Sequence, residues 1–347
     1  MQHPAAPYHE RAVRDEAERI CSENGLDCDV DRFGNLWTEF NNAPKLRPLV
    51  LAAHLDHPGF EIIDDAPSKR ILAQFRGGVS NSYFRTGTRL RLMPGQTPAR
   101  LVKRVGAEKQ FEIRAHAPLD ARPQFAVWDL PGFSMRGNKL HGRACDDLIG
   151  VASILSALIE VKRDRAPVNV AGVLTRAEEV GFHGALALAG SGKLRRNSLV
   201  ISLETSREIP PVKMGAGVIV RVGDRASVFD SEATRFLSEV ASRLAGADRT
   251  FAFQRALMSG GTCEATAFQE FGYQTAAVCV ALGNYHNCAP NNRIAAEYVS
   301  ATDCVQLVKL MVESARAMPQ YAKLISALPE RLTELSQVAR NMLPRRL

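Results

Sequence analysis

The sequence contains no long apolar run. Its apolar stretches, such as residues 151–159, are interrupted by serine and fall short of the roughly 18 consecutive apolar residues that a membrane helix requires. Residues 1–14 also contain no apolar segment of the kind that marks a secretory signal. We therefore expect neither a membrane-spanning segment nor export by the ordinary route.

Paired cysteines are also missing. The seven cysteines are odd in number, widely scattered and free of any Cys-x-x-Cys motif, which favours reduced thiols over a disulfide framework. The excess of 44 basic over 37 acidic residues is modest, and no nucleic-acid-binding motif accompanies it. With 46% hydrophobic and 23% charged residues, the composition excludes a disordered chain or a coiled coil. These features predict a cytoplasmic protein without a nucleic-acid or membrane partner.

Four short apolar runs each precede a histidine or an acidic residue. The runs cover residues 49–53, 168–175, 199–203 and 276–282, and the polar residues that follow them are His54, Glu178-Glu179, Glu204 and His286. Segments with helical periodicity, at 148–162 and 231–244, lie between the runs. This alternation predicts an α/β sheet covered on both faces, with the polar residues gathered beyond the carboxyl ends of its strands.

Residues 65–137 have a different pattern. Short runs that alternate apolar residues with arginine or lysine are separated by glycine, proline and asparagine, which indicates a small antiparallel, barrel-like β module. Because the strand that ends at His54 precedes it and a helix near Asp146 follows it, the module is an insertion. The predicted domains are a discontinuous catalytic domain, 1–64 with 138–347, and the inserted module, 65–137.

Imidazole and carboxylate groups together are typical ligands of Zn, Co or Mn, and an excess of carboxylate suits a pair of divalent ions. Each segment alone has an ordinary explanation, since Asp146-Asp147 also suits the start of a helix. The joint placement of acids and histidines at one end of four strands favours the metal site. In His54-Leu55-Asp56, Asp56 is near enough to orient the imidazole, although a turn before Pro58 would also explain it.

Several segments resemble the M42-type dinuclear metallo-aminopeptidases, the family of glutamyl aminopeptidase and the tetrahedral aminopeptidases. The matching segments are LAAHLDHPGF, GRACDDLIGV, LTRAEEVGFHGA, MSGGTCEA and NYHNCAP. Their order and approximate spacing match over nearly the whole chain, including the insertion, and the M28 and M20 peptidases share the ligand pattern. The resemblance implies a zinc-exopeptidase fold, with a mixed central sheet, helices on both faces and an inserted barrel-like domain.

The resemblance also implies a role for each residue. Asp146 would bridge two divalent ions, Zn or Co, with His54 and Glu204 completing one site and Glu179 and His286 the other. Glu178 would be the general base, and Asp56 would support the site. The family usually has aspartate at the position of Glu204, and SGGTCEA has one residue more than the commoner GGTDA.

Such a site would hydrolyse the N-terminal amide bond of short peptides through a hydroxide that bridges the metals, with Glu178 accepting the proton of the water. Two alternatives stay open: a related carboxypeptidase or N-acyl amino-acid deacylase, and a metal-free homologue without catalytic activity. M42-type enzymes commonly form hollow multimers, often dodecamers, in which the inserted module covers the active site and joins subunits. By resemblance we therefore expect a homo-oligomer that acts on peptides.

Overall fold

The computed structural model describes residues 1–63, 70–106, 108–119 and 122–343, apart from the side chain of residue 327. The helices are α1 (Arg11–Glu23), α2 (Cys145–Arg163), α3 (His183–Ala189), α4 (Ser231–Ala247), α5 (Glu264–Glu270), α6 (Ala301–Ala317) and α7 (Tyr321–Met342). The helices predicted at 148–162 and 231–244 are confirmed as α2 and α4. Within the described ranges, every helix falls short of the length and apolarity needed to cross a bilayer.

An eleven-stranded mixed sheet forms the centre of the larger domain. Its strands are β1 (Asp27–Val30), β2 (Leu36–Asn41), β3 (Leu49–His54), β10 (Ser134–Arg136), β11 (Lys139–Gly142), β12 (Asn169–Thr175), β13 (Leu199–Arg207), β14 (Val218–Gly223), β15 (Phe253–Leu257), β16 (Gln274–Gly283) and β19 (Glu297–Ser300). The order across the sheet is β1-β2-β12-β3-β13-β16-β19-β11-β10, and β14 pairs with β15 and β16. The predicted mixed sheet is confirmed.

The four apolar runs become adjacent parallel strands, in the order β12, β3, β13 and β16. Each is almost completely buried, because helices cover both faces of the sheet. On β3, Leu49 and Leu51 pack into the core shared with α1, α2, α4 and α6, whereas Val50 and Ala52 pack against α3 and α5. Since all four strands point the same way, their carboxyl ends meet along one edge of the sheet.

The inserted module is a closed antiparallel barrel of six strands, in the order β4-β5-β8-β7-β6-β9. The strands are β4 (Gly59–Ile62), β5 (Arg70–Arg76), β6 (Arg89–Met93), β7 (Thr97–Val105), β8 (Gln110–Ala115) and β9 (Phe125–Trp128), and a short separate pair, β17 (Cys288–Ala289) with β18 (Arg293–Ile294), lies later in the chain. Burial alternates along β5 and β8, as expected of strands with one face in a core.

Aromatic side chains fill the barrel. Phe60 lies 5.0 Å from Trp128 and 4.9 Å from Phe75 in edge-to-face contacts, measured between ring centroids, and Phe84 stacks on Phe111 at 4.5 Å. The barrel strands begin at Gly59, so the first of them precedes the boundary predicted at 64–65, which itself lies outside the described residues.

Candidate active site

The predicted ligands come from the carboxyl edge of the four parallel strands and the start of α2. His54 is the last residue of β3, and a one-turn helix of residues 178–180 follows β12 and carries Glu178 and Glu179. His286 lies in a short turn after β16. Asp146 lies in the first turn of α2, next to a cis peptide bond with Asp147.

Glu204 lies inside its strand rather than at the end. The sequence predicts that this strand stops at residue 203, but β13 continues to Arg207 because it stays paired with β16 as far as Leu282. Its pairing with β3 stops at Ser202. Glu204 therefore stands where β13 runs on beyond β3, beside the open end of the sheet.

Asp146 lies between the two histidines. One carboxylate oxygen, Oδ1, is 3.5 Å from Nε2 of His54, and the other, Oδ2, is 3.6 Å from Nε2 of His286. On the first side, Glu204 Oε2 is 4.0 Å from His54 Nε2, and on the second, Glu179 Oε1 is 3.2 Å from His286 Nε2. Two groups of possible ligands share Asp146, and the ligand atoms of each group lie within 4.8 Å of one another.

Both imidazoles are oriented through their other ring nitrogen. His54 Nδ1 lies 3.1 Å from the backbone carbonyl of Asp56, and His286 Nδ1 lies 3.0 Å from the carbonyl of Gly78 in the segment that follows β5. A carbonyl can only accept, so each Nδ1 carries the proton and donates it. Each Nε2 is then free to act as a ligand, which is the usual arrangement of metal-binding histidines.

The carboxylate of Asp56 contacts the backbone of the acidic pair. It accepts hydrogen bonds from the backbone N–H groups of Glu178 at 2.9 Å and Glu179 at 3.1 Å, while its Oδ1 is 3.6 Å from His54 Nδ1. The nearest partner of the imidazole is therefore the Asp56 carbonyl. The Asp56 side chain fixes the turn that presents Glu178 and Glu179.

Two buried glutamates that the sequence analysis did not identify support the same arrangement. Glu297, at the start of β19, accepts hydrogen bonds from the backbone N–H groups of Asp146 at 3.0 Å and His286 at 2.8 Å. Glu10 accepts from the backbone of Ala177 at 3.1 Å and pairs with Arg176 at 2.8 Å, next to the acidic turn. The sequence around each glutamate does not differ from that around an ordinary exposed acid. Only the burial of the side chain in the structure identifies its role.

The site holds a surplus of buried negative charge. Eight carboxylates lie in or beside it, from Asp56, Asp146, Asp147, Glu178, Glu179, Glu204, Glu264 and Glu297. Burial, with repulsion from neighbouring acids, raises the pKa of Glu178 well above its ordinary value and that of Glu204 to about 8. Burial lowers the pKa of His54 and His286, but the surrounding carboxylates outweigh it and raise both. A buried charge is costly unless it is paired, so this cluster suits cations.

The donor atoms fit divalent metal ions. Within the described part of the chain, Asp146 Oδ1, Glu179 Oε1 and Glu204 Oε1 are buried oxygens without a hydrogen-bond partner. Buried polar atoms are normally partnered, and the residues that carry these oxygens all belong to the two groups around Asp146. Glu264 is also fully buried, and both of its carboxylate oxygens are unpartnered among the described residues, but it is not one of the described residues that line the cavity over the site.

A cavity opens directly over these residues. Besides His54, Asp146, Glu178 and Glu204, its walls include Arg207, Arg221, Met258, Gly261 and Tyr285. Arg221 is 3% exposed, donates to Ser206 Oγ at 3.3 Å, and has an Nε without a partner among the described residues. The cavity therefore has a buried cation close to the acidic cluster.

Comparisons with known proteins agree with this fold. The sequence model of the M42 glutamyl aminopeptidases matches residues 123–307. A protein of Acetivibrio thermocellus that is named as an aminopeptidase is 24% identical over 327 residues, which cover 88% of this chain and 93% of that protein.

Solved structures of peptidases have the same fold. The TET1 peptidase of Pyrococcus horikoshii is 22% identical, with a TM-score of 0.74 over 90% of this chain and 96% of that one. A TET aminopeptidase from a marine sediment archaeon of the Thaumarchaeota is 20% identical, with a TM-score of 0.76 over 92% and 96% of the two chains. Because the M42 model covers more than half of the sequence, this chain belongs to the M42 glutamyl aminopeptidase family.

Proposed function

We propose that this chain is a metal-dependent aminopeptidase with two divalent ions per subunit, which removes the N-terminal residue of short peptides. The observation that carries the proposal is the position of Asp146, with one carboxylate oxygen opposite each histidine Nε2. His54, Asp146 and Glu204 would hold one ion, and Asp146, Glu179 and His286 the other. This mixture of imidazole and carboxylate suits Zn or Co.

Two bound ions would acidify a shared water and polarise the carbonyl of the scissile amide bond. A residue of the chain would transfer the proton. Glu178 lies at the cavity, 11% exposed, with Oε2 at 3.9 Å from His54 Nε2, and Asp56 holds its backbone. Glu178 would accept a proton from the attacking water and return it to the nitrogen of the departing amine.

We expect the cavity to favour a substrate with an acidic first residue. The guanidinium of Arg221 is buried in the wall, with an Nε that has no partner in the part of the chain that the structure describes, and Arg207 lies at the exposed rim, 5.1 Å from the ring of Tyr285. The positive charges of these two guanidinium groups would attract a carboxylate side chain, and an apolar side chain would gain no such interaction. The name of the family, glutamyl aminopeptidase, agrees with this preference.

The inserted module, 65–137 in the predicted division, would cover one side of the cleft. The segment after its strand β5 provides the Gly78 carbonyl that orients His286, so the barrel domain lies directly beside the site. The TET1 peptidase of Pyrococcus horikoshii can assemble into a tetrahedron or an octahedral shell. By analogy we propose that this chain forms a homo-oligomer, with a dodecamer as the specific form, and that the barrel contributes to it.

Metal analysis combined with a substrate panel tests the proposal. Purified protein is stripped with a chelator and reloaded with Zn or Co, and metal content is measured beside the cleavage of aminoacyl anilides and N-acetyl amino acids. We expect two ions per chain, loss and recovery of activity with metal, and faster cleavage of glutamyl than of leucyl anilide. Cleavage of N-acetyl amino acids instead would indicate the deacylase. Less than one ion per chain, with no activity after reloading, would indicate a non-catalytic homologue.

A further inference from the structure

The last helix extends beyond the body of the protein. At its start, Tyr321 and Leu324 are 9% and 1% exposed, and the Tyr321 ring lies 4.9 Å from that of Phe236 in α4. From Leu328 to Met342, by contrast, every residue is exposed. We call residues 328–342 the C-terminal arm.

The apolar face that anchors α7 continues along the arm. At about 100° per residue, Leu328, Leu332, Leu335 and Met342 lie on the same side of the helix as Tyr321 and Leu324. Their side chains are solvent-accessible, with Leu332 and Leu335 each 54% exposed and Met342 77%. The arm thus presents an apolar stripe that the rest of the described chain leaves uncovered.

Such an arm requires a partner to stay helical. Isolated helices of fewer than about 12–15 residues are marginal in water, and most helices in proteins are stabilised by packing of one apolar face. Pro329 near the base of the arm adds to the difficulty, because it lacks an N–H for the helical ladder. Contact along the stripe would provide the missing stabilisation.

The charges of the arm suit a second copy better than a lipid surface. Glu330, Arg331 and Glu334 give the first half a net charge of −1, and Arg340 gives the second half +1. None of these four side chains makes an ion pair within the described ranges. Helices that lie on membranes are rich in lysine and arginine on the polar face, whereas this arm has equal numbers of acids and bases.

We propose that the arm pairs in antiparallel orientation with the arm of a second copy of this chain. The pair is centred on Leu335, the middle of the stripe, so that Leu328 lies opposite Met342 of the other copy. This orientation sets the acidic half against the basic half, opposes the helix dipoles, and keeps the two bodies at opposite ends of the pair. The contact is additional to any contact that the bodies make.

Two matched double variants of the full chain test the contact. Leu332→Glu with Leu335→Glu places charge in the stripe, and Thr333→Glu with Gln337→Glu adds the same charge on the opposite face. By sedimentation velocity we expect the stripe variant to have a lower mass than the parent assembly and the control to keep the parent mass. Catalytic activity and thermal unfolding report that the body remains folded. An unchanged mass for the stripe variant, or a monomeric parent that binds anionic vesicles through the stripe, would overturn the proposal.

Cysteine cross-linking tests the orientation. In a Cys28→Ser background, the double variant Leu328→Cys with Met342→Cys should form a covalent dimer on mild oxidation. Each single variant should not, because in an antiparallel pair identical positions lie about 21 Å apart. Cross-linking of the Leu328→Cys single variant with itself would indicate a parallel pair and contradict the proposal.

Discussion

The carboxyl edge of the main sheet and the inserted barrel differ in what they bury: polar and charged groups at the edge, and aromatic side chains in the barrel. The edge concentrates buried acids and imidazoles, and several of the acids have an oxygen without a hydrogen-bond partner among the described residues. The barrel is filled by aromatic rings in mutual contact. Burying charged groups at the site is energetically unfavourable, but it provides ligands for metal ions. The barrel gains stability from the burial of apolar side chains. The two regions meet at the Gly78 carbonyl, a backbone atom that orients His286. We therefore expect substitutions at the sheet edge to lower catalytic activity and substitutions in the barrel core to lower stability.

The largest expected effect is on turnover. Glu178→Gln should lower kcat by about 10²–10⁴-fold, because the amide cannot accept the proton of the attacking water. Metal content and thermal stability should stay near those of the parent. The exposed Glu270→Gln is the control, and both are measured by steady-state kinetics and metal analysis. Full activity in the Glu178 variant would remove this residue from the mechanism.

In the barrel the damage should appear as lost stability. Phe111 is 1% exposed and stacks on Phe84, so Phe111→Ala should lower the free energy of unfolding by about 3–5 kcal/mol. Denaturant unfolding measures this change, with Phe133→Ala as the control, since Phe133 is 46% exposed and should change stability by less than about 0.5 kcal/mol. Below the unfolding transition, kcat should be unaltered. A fall in kcat as large as that of a site variant would contradict the separation of the two regions.

An intermediate effect is expected where a carboxylate supports the ligands without being one. Asp56→Asn replaces one of two acceptor oxygens with a donor facing the backbone N–H groups of Glu178 and Glu179, and should lower kcat/KM by about 10–100-fold. Asp303→Asn is a matched control, because the buried Asp303 also accepts two backbone hydrogen bonds, from Gly215 and Gly217. Equal loss of activity in both variants would show that the effect is not local to the site.

The smallest effect is expected at the junction. A methyl group added in Gly78→Ala would lie 3.4 Å from His286 Cε1, close to ordinary contact, and the carbonyl that accepts from the imidazole would stay. We expect kcat/KM to change by less than about threefold, equivalent to about 0.7 kcal/mol. Metal affinity, measured by competition with a chelator, should change as little as kcat/KM does. A loss above a hundredfold would show that the barrel controls the position of His286 more tightly than the hydrogen bond implies.

Several features could be predicted from the sequence because they are local. The four buried strands follow from apolar runs bounded by turn residues, and the two helices from their periodicity. Glu297 could not be predicted, since an acid that opens a short strand looks like an exposed one. The extension of β13 to Arg207 was also missed, because it depends on pairing with β16 and not on the residues of β13 themselves.

The sequence by itself determined the order of the buried strands and which acids and histidines accompany them, because apolar runs and helical periods are set by neighbouring residues. Only the tertiary structure decided that Asp146 faces His54 with one oxygen and His286 with the other. The same holds for the proton on each imidazole, which depends on carbonyl groups at Asp56 and Gly78. Hydrogen bonds and ligand distances of this kind join segments that are far apart along the chain, so strand register and packing fix them and local propensity does not.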